Sequence, residues 1–591
     1  MSEPGTGPRG IVSAGAAEGS PILDRIAALP AGLLITAALL LFSLLAAFPL
    51  RGDSCTFDEG THAAAGWTYV TRRDYRMSID NPPLAKVLAA LPLACMDLRA
   101  PSEAADWDKP LRYEYAFKWL YHCGNDPDRI LLWSRGVNLL WCLILIPSVY
   151  AVARDLYGRR GGLIALVLAA VCPTLIAHGH LTTPDAPVTT LSFLTVAAFW
   201  TFLRTPTVKW SVYSGILLGG AAATKHNALL LLPVLGALLL LQAIRTPRGE
   251  RLRAVKPVAA GILGIGVIAW GLLWGVYGFR YAGSPDPAFQ FDWDGTTQGE
   301  GGVGKAIAVA RSARLLPEAH LYGLSLVVRN TSQGHDAFAL GLHSQIGWWW
   351  YFPLTWLLKT PTCTILLILL AFGSMFRRPP QHPMNDLHLL VPVALFTVFL
   401  MTKNMNIGLR HALPILPFLW TLAGAVELPS SGRIGRWAPT GALALLAGCI
   451  LETAAAAPGY IAFFNAPSRL LSERRHLLVD SNLDWGQDLG RLKRYLDRRG
   501  AAGIKLAYFG AASPRQLGLK HEALPSFNVY RDLEPEWKDA VMAPGDLVAI
   551  SATTLMGVYL GEHDLYRKAL DRLEPIEVVG DSIHVFRVRG R

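Results

Sequence analysis

The chain has 591 residues, of which 52% are hydrophobic and only 17% are charged, and its mean hydropathy is +0.31. A soluble protein of this length would form several domains with near-average surface charge, so this composition excludes an ordinary soluble enzyme. The net charge is +11, but the basic residues sit mainly in short loops, which gives no indication of nucleic-acid binding. The seven cysteines show neither CxxC pairs nor Cys/His ligand spacing.

Apolar stretches fill the first three quarters of the chain. Residues 1–29 precede them, lack a charged n-region and a cleavage site, and are expected to form a disordered cytoplasmic tail. A bilayer core about 30 Å thick needs about 20 apolar residues, and residues 30–457 contain roughly eleven such stretches. We therefore predict a polytopic α-helical membrane protein with spans near 31–50, 130–152, 162–178, 186–203, 211–223, 227–244, 257–279, 353–375, 387–402, 409–426 and 438–457.

The loops between these spans differ in charge. Every second loop carries Lys and Arg, and cytoplasmic loops are the ones that hold an excess of these residues. This places the N-terminus in the cytoplasm and residues 51–129, 179–185, 280–352 and 458–591 outside, which predicts a plasma-membrane (bacterial inner-membrane) protein. The basic loops contain Arg154, Arg159, Arg160, Arg204, Lys209, Arg245, Arg248, Arg251, Arg253, Lys256, Arg377, Arg378, Arg433 and Arg436.

The segment 458–591 has a different character from the spans. It contains an amphipathic pattern near 487–499 and strand-like runs at 503–509, 546–551 and 583–588. We expect a small α/β domain outside the membrane. Its acidic and aromatic stretch from Asp480 to Asp488 suits carbohydrate contact, but a turn and a helix cap explain it equally well.

The first outer loop begins with adjacent carboxylates. Asp58 and Glu59 directly follow the first span, and ionisable groups near a membrane boundary are a functional hypothesis, although a pair of solvated acids is an equal alternative. Further on, Asn81 is a good N-cap before Pro82 and Pro83, which predicts a helix with Lys86 in its first turn. Such a helix N-terminus suits a phosphate group.

Other ionisable residues fall at the same predicted face. Asp185 precedes the fourth span and is equally explained as a helix N-cap. Arg135, near the start of the second span, could snorkel to headgroups or bind a lipid phosphate, and the same two interpretations apply to Lys225 and to the pair Arg410-His411. A lipid-phosphate donor would fit this set, because a phosphate leaves as a stable anion and one carboxylate base then suffices.

Several motifs are similar to those of the GT-C glycosyltransferases of family 39, the protein O-mannosyltransferases and the lipid A aminoarabinose transferase. The resemblance covers roughly residues 30–460. Asn81 replaces the His that the eukaryotic mannosyltransferases favour at this position, and the tail resembles neither of the family's known endings. The motifs are Asp58-Glu59, Asn81-Pro82-Pro83-Leu84-Ala85-Lys86, Arg135, Thr183-Pro184-Asp185, Lys359-Thr360-Pro361 and Gly408-Leu409-Arg410-His411 with the Ala412-Leu413-Pro414-Ile415-Leu416-Pro417 that follows.

This resemblance implies a GT-C fold, a polyprenyl-phosphate-linked sugar donor and transfer with inversion to an acceptor hydroxyl of a protein, glycan or lipid at the outer face. Asp58 would be the base, with Glu59 beside it and Asp185 near the sugar or the acceptor. The donor phosphate would be held by Lys86, Arg135, Lys225 and Arg410, and sugar or acceptor contacts are expected at His62, Asn81, His180 and His411.

Four points remain open. No cofactor is expected to be obligatory, although a divalent cation on Glu59, His62 or Asp185 is possible. A secondary transporter of a polar or anionic solute is the main alternative, but transporters usually place charges near the midplane rather than at one face. A non-catalytic membrane scaffold, whose outer tail binds a partner, is another. Finally, one disulfide could join two of Cys55, Cys95 and Cys123, which share the outer loop.

Overall fold

Helices make up most of the chain, and a five-stranded sheet lies near its C-terminus. This computed structural model describes residues 22–101, 112–294, 296, 301–375, 383–427, 432–528 and 541–590. Within these ranges the α-helices are α1 Ile22–Ala28, α2 Ala31–Gly52, α3 Glu59–Arg72, α4 Leu84–Ala90, α5 Arg112–Tyr121, α6 Pro127–Ala170, α7 Pro173–Gly179, α8 Asp185–Arg204, α9 Val208–Ala222, α10 Leu231–Arg245, α11 Arg248–Val276, α12 Gly301–Ser312, α13 Glu318–Gln333, α14 Tyr351–Lys359, α15 Thr362–Met375, α16 Pro383–Met401, α17 Leu416–Ala423, α18 Gly432–Ala454, α19 Ala466–Leu471, α20 Arg474–Leu477, α21 Leu489–Arg499 and α22 Ala552–Leu555.

The predicted spans all fall on helical segments, but fewer helices qualify as complete spans. Among the described residues, six are long and apolar enough to cross a membrane, or seven if α14 and α15 count as one. The 44-residue α6 includes the span predicted at 130–152 and the first part of the one predicted at 162–178, which continues into α7; the two parts of α6 join at Gly158, whose φ of 74° turns the backbone. The span predicted at 353–375 is bent by 115° between Lys359 and Thr362, because Pro361 cannot continue a helix.

Small residues let two of these helices approach closely. Gly215 and Gly219, one turn apart on α9, face α11. A Cβ atom added at Gly219 would lie 2.8 Å from the Cα of Ala269, and one at Gly215 would lie 2.8 Å from the Cβ of Ile268. Association of helices in lipid relies on such close backbone contact, because lipid tails remove the hydrophobic driving force between helices.

The helix bundle has two chemically different ends. At one end, here called the basic-loop end, the kink at Gly158 within α6 and the turns after α8 and α10 carry predicted cytoplasmic cations, and Tyr157 donates a hydrogen bond to Asp386 over 2.6 Å. At the other, the domain-facing end, α2 stops at Gly52, α8 begins at Asp185 and the C-terminal domain packs on both neighbouring loops. The alternation of charge read from the sequence therefore corresponds to two spatially separate ends.

The C-terminal domain has the predicted mixture of helix and sheet. Helix α21 buries Leu489, Leu492 and Leu496 against the sheet, as its amphipathic pattern indicates. Strands β1 Ala337–Ala339 and β2 Leu342–Ser344 form a separate hairpin, and the strands of the sheet are β3 Ile504–Ala507, β4 His521–Ala523, β5 Leu547–Ser551, β6 Leu573–Val579 and β7 Ile583–Val588. In the sheet, β3 pairs in parallel with β4 and β5, whereas β7 pairs antiparallel with β5 and β6, in the spatial order β4-β3-β5-β7-β6.

Two expectations differ from the structure. Residues 22–28 of the predicted disordered tail form α1, because Leu23 and Ala27 are buried against the bundle on one helical face, while residues 1–21 lie outside the described part. The three cysteines of the predicted outer loop, Cys55, Cys95 and Cys123, are free thiols, so the structure contains none of the disulfides considered for them.

Candidate active site

Two carboxylates and two cations meet at the domain-facing end of the bundle. The Nη1 atom of Arg410 lies 3.0 Å from Oδ2 of Asp58 and 3.7 Å from Oδ2 of Asp185. On its other side, Asp185 accepts a hydrogen bond from Nζ of Lys225 over 2.5 Å. The result is an alternating row, Asp58–Arg410–Asp185–Lys225, which we call the charge row. Its members come from four distant segments of the chain.

Local structure leaves both carboxylates available to the cations. Asp58 occupies the N-cap position of α3 but its side chain caps no backbone N–H group, and 21% of that side chain is exposed. Asp185 is the first residue of α8, after Pro184, and likewise makes no capping bond. The N-cap alternative for Asp185 is thus replaced by an ion pair with Lys225.

The charge row also contains unsatisfied hydrogen-bonding groups. Within the described residues, Nε of Arg410, Oδ2 of Asp185 and Nε2 of His411 are buried and have no hydrogen-bond partner. A buried N–H without an acceptor costs about 1–3 kcal/mol, so the Nε of Arg410 is a ready donor for an incoming anion.

The C-terminal domain forms one wall of this site, which the sequence did not predict. The ring of the buried Trp485 lies 4.2 Å from the guanidinium of Arg410, a cation–π contact. Asp480 adds a negative charge near the same guanidinium and accepts a hydrogen bond from the hydroxyl of Tyr559. Burial raises the pKa of Asp480 above its ordinary value. In the sequence, only the acidic and aromatic composition of the stretch from Asp480 to Asp488 pointed to a role for this domain in the site.

Hydrogen bonds join this wall to the two segments that carry Asp58 and Arg410. The N–H of Phe57 donates to the carbonyl of Trp485 over 3.1 Å, and that of Ser54 donates to Gln487 over 2.9 Å. The side chain of Asn482 accepts from the N–H of Leu409 over 3.0 Å. The C-terminal domain therefore holds Phe57 and Leu409, which are the chain neighbours of Asp58 and Arg410.

Glu59 points away from the charge row and forms a buried ion pair with Arg135. Nε and Nη2 of Arg135 donate to its two carboxylate oxygens over 2.8 and 2.6 Å. Burial by itself would raise the pKa of Glu59, but the charge and hydrogen bonds of Arg135, with the N–H groups of Thr56 and Thr182, lower it to about 2. Both side chains are at most 2% exposed.

The remaining donors of Arg135 are also engaged within the protein. Its Nη1 donates to the carbonyls of Leu50 and Asp53 over 3.0 and 2.9 Å, and its Nη2 donates to Ser54 over 3.1 Å. Arg135 therefore clamps the end of α2 to the segment that presents Asp58. Its contact with a donor phosphate stays a prediction.

Lys86 is buried as well, and the helix that carries it begins later than expected. Asn81 was predicted as the N-cap, but α4 begins at Leu84 with Pro83 at the N-cap position, because the side chain of Asn81 donates to Asp80 instead. Nζ of Lys86 donates to the carbonyl of Asn81 over 2.7 Å and to that of Ser78. The ammonium group thus satisfies backbone carbonyls of the preceding turn.

The other predicted contact residues lie around these groups. Burial lowers the pKa of His62 to about 4; the charge of Lys86 also lowers this pKa, and that of Asp58 raises it. His411 adjoins Arg410 in the 3₁₀ turn Leu409–Ile415. His180, in contrast, faces Asp53, with 3.4 Å between Nε2 and Oδ2. The sequence did not indicate Arg112, which forms an ion pair with Asp80 over 2.5 Å and also interacts electrostatically with Asp58.

One segment of the chain matches a known protein family. Residues 123–274 match the model of the dolichyl-phosphate-mannose-protein mannosyltransferase family. No curated protein sequence matches the chain.

The chain is also similar to solved structures. The Saccharomyces cerevisiae protein O-mannosyltransferase Pmt1-Pmt2 complex bound to the sugar donor has a TM-score of 0.51 at 12% identity, covering 74% of this chain and 91% of that one. ArnT from Cupriavidus metallidurans bound to undecaprenyl phosphate has a TM-score of 0.46 at 14% identity, covering 95% and 99%. The family match over residues 123–274 and the fold shared with Pmt1-Pmt2 agree with the resemblance seen in the motifs, and they favour a membrane glycosyltransferase with a GT-C fold over the transporter alternative.

Proposed function

We propose that this protein transfers a sugar from a polyprenyl-phosphate donor to an acceptor hydroxyl, with inversion, and that Asp58 is the base. The observation that supports this most is the charge row, in which the partly exposed carboxylate of Asp58 shares Arg410 as its counter-ion with Asp185. An arriving phosphate would compete for Arg410 and Lys225, so that binding of the donor weakens the Asp58–Arg410 pair. The freed carboxylate then becomes a better proton acceptor.

The chemical step needs few protein groups. The acceptor oxygen attacks the anomeric carbon on the face opposite the phosphate, its proton moves to the carboxylate of Asp58, and the polyprenyl phosphate leaves as an anion. Arg410 and Lys225 stabilise the charge that develops on the departing phosphate oxygen. Asp185 holds both cations in position. The acceptor can be a hydroxyl of a protein, a glycan or a lipid.

The two cations of the charge row, Arg410 and Lys225, support a mechanism that needs no metal ion beside Asp58 and Asp185. A divalent cation prefers a group of free carboxylate oxygens. Here Glu59 is bound to Arg135, while Asp58 and Asp185 already face Arg410 and Lys225. A further cation would be repelled by the two that are present.

A transfer assay tests the function directly. The purified protein is placed in liposomes with radiolabelled polyprenyl-phosphate hexoses and pentoses, and membrane extract supplies the acceptor. We expect label to move from the prenyl lipid to a different product, with release of polyprenyl phosphate. Failure of every donor to lose its sugar, although the protein binds it, would contradict the proposal.

Arg410→Lys is expected to weaken donor binding about 10- to 100-fold, because lysine keeps the charge but loses the free Nε donor and the planar contact with Trp485. Binding of labelled donor to the liposomes measures the change. Arg311→Lys is a matched control, since the Arg311 guanidinium lies 4.3 Å from the ring of Trp293 outside the charge row. Equal weakening in both variants would show a general effect of losing an Arg–Trp contact.

We also propose that the N-terminus is cytoplasmic and that the active site and the C-terminal domain lie outside the plasma membrane. In a Cys95→Ser background, a membrane-impermeant maleimide should label Lys520→Cys in intact spheroplasts. Lys209→Cys, in a predicted cytoplasmic loop, should be labelled only after lysis. Both positions are exposed, so the reverse pattern would invert the topology.

A further inference from the structure

A second group of ligand-type side chains lies where an outer-loop hairpin meets the C-terminal domain. Asp336 precedes β1 Ala337–Ala339, His343 lies in β2 Leu342–Ser344, and His563 follows α22 in the C-terminal domain. One ligand atom from each of the three lies within 4.8 Å of the other two. None of the three belongs to the charge row.

Regular structure fixes the positions of these residues. In the hairpin, Phe338 pairs with His343, and the strands are joined by Leu340 and Gly341, which both have positive φ angles as this tight turn requires. The N–H of Leu340 donates to the carbonyl of Leu477 over 2.9 Å, so the hairpin is fastened to the C-terminal domain.

The segment that brings His563 to the hairpin is equally constrained. Gly557 has a φ of 78°, and a Cβ atom there would lie 2.0 Å from the carbonyl oxygen of His563. Only glycine allows this close approach. The chain thus folds back on itself to place His563 on His343, with 4.2 Å between the ring centroids.

Several polar atoms of this group have no protein partner among the described residues. Both ring nitrogens of His343 and the Oδ1 atom of Asp336 are buried without a hydrogen bond, and Asp336 is only 9% exposed. The carbonyl of Met556 approaches the His343 ring, which still leaves one nitrogen for a ligand. Native proteins rarely leave such groups unsatisfied, and a bound cation would satisfy them.

The orientation of His563 also suits metal coordination. Its Nδ1 atom lies 2.8 Å from the carbonyl oxygen of Gly557. Histidine ligands commonly donate one ring N–H to a backbone carbonyl and present the other nitrogen to the metal. Nδ1 also lies 3.9 Å from Oδ2 of Asp336, and with Nδ1 engaged by the carbonyl, Nε2 of His563 would be the ligand atom.

We propose that Asp336, His343 and His563 bind a divalent transition-metal ion of the zinc type. Two imidazole nitrogens and one carboxylate oxygen form a ligand set that binds zinc in preference to calcium or magnesium, with water as the fourth ligand. The ion would clamp the hairpin between α13 and α14 to the C-terminal domain.

The same residues connect this site to the charge row. Oδ2 of Asp336 accepts the N–H of Tyr559 over 2.7 Å, and the hydroxyl of Tyr559 donates to Asp480 beside Arg410. A metal ion at Asp336 would therefore hold Tyr559 and Asp480 in place. Its role is to position the C-terminal wall of the active site.

Metal binding is measured on the full-length protein in detergent, after treatment with a chelator. Zinc is titrated against a fluorescent competitor, and Co²⁺ is used as a spectroscopic substitute. We expect about one zinc ion per chain, a rise in the unfolding temperature, and visible Co²⁺ absorption typical of four-coordination. His343→Ala and His563→Ala should each weaken zinc binding about 100-fold or more.

His521→Ala is the control, because it removes a histidine elsewhere in the same domain. The side chain of His563 is 39% exposed, so its replacement tests the site even if His343→Ala fails to fold. Binding of less than about a tenth of an equivalent by the wild type would overturn the proposal. Unchanged affinity in a folded His563→Ala variant would also overturn it. These results are independent of sugar transfer.

Discussion

Asp58→Asn is expected to lower kcat for sugar transfer about 10²- to 10⁴-fold, which is the usual contribution of a general base. Asparagine has nearly the same shape but cannot accept the proton of the acceptor hydroxyl. Donor binding should be retained, because loss of the negative charge leaves Arg410 free for the phosphate. Single-turnover transfer and equilibrium donor binding, measured on the same liposomes, separate the two effects.

Asp564→Asn provides the control for this experiment. Its side chain is 59% exposed in the C-terminal domain and undergoes the same change of charge, so it should transfer sugar like the wild type. Full activity of Asp58→Asn would remove Asp58 as the base. If donor binding fell as much as the rate, Asp58 would instead be a residue that organises the phosphate site.

The sequence predicted which end of the bundle collects the charged residues. Asp58, Asp185, Lys225 and Arg410 were each placed at the same face from the alternation of basic loops, and they form one row in the structure. This inference was possible because hydrophobic length and loop charge depend on the membrane, which acts on each segment locally.

The partners of each charge could not be predicted in the same way. Arg135 and Arg410 look alike in the sequence, since both lie at the end of an apolar stretch. In the structure Arg135 is enclosed by Glu59 and backbone carbonyls, whereas Arg410 keeps an unbound Nε donor. This difference depends on tertiary contacts between distant segments, which local patterns do not encode.

The contribution of Trp485 to the site was inaccessible for the same reason. Trp485 and Arg410 are far apart in the chain and belong to different domains, yet the ring and the guanidinium are in contact. A local pattern could reveal only that the segment is acidic and aromatic. The bend before Thr362, in contrast, has a local cause in the sequence, because Pro361 interrupts the helix within a continuous apolar stretch.

Glu59→Gln is expected to reduce the free energy of unfolding by about 3–5 kcal/mol, because it leaves the charge of Arg135 buried without a counter-ion. Unfolding of the detergent-purified protein by urea, followed by tryptophan fluorescence, measures the loss. The double variant Glu59→Gln/Arg135→Met should recover part of it, since it removes both buried charges. Glu114→Gln, a partly buried glutamate of α5 in the same outer loop, should change stability little.

The same pair predicts how stability depends on pH. The pKa of Glu59 in the folded protein is about 2, below its ordinary value of 4.5, so the stabilisation is complete above that ordinary value and is lost as the pH falls towards 2. The wild type should therefore lose more stability than Glu59→Gln over this acidic range, and the two curves should run parallel at neutral pH. Parallel curves down to pH 3 would show that Glu59 does not carry the charge assigned to it.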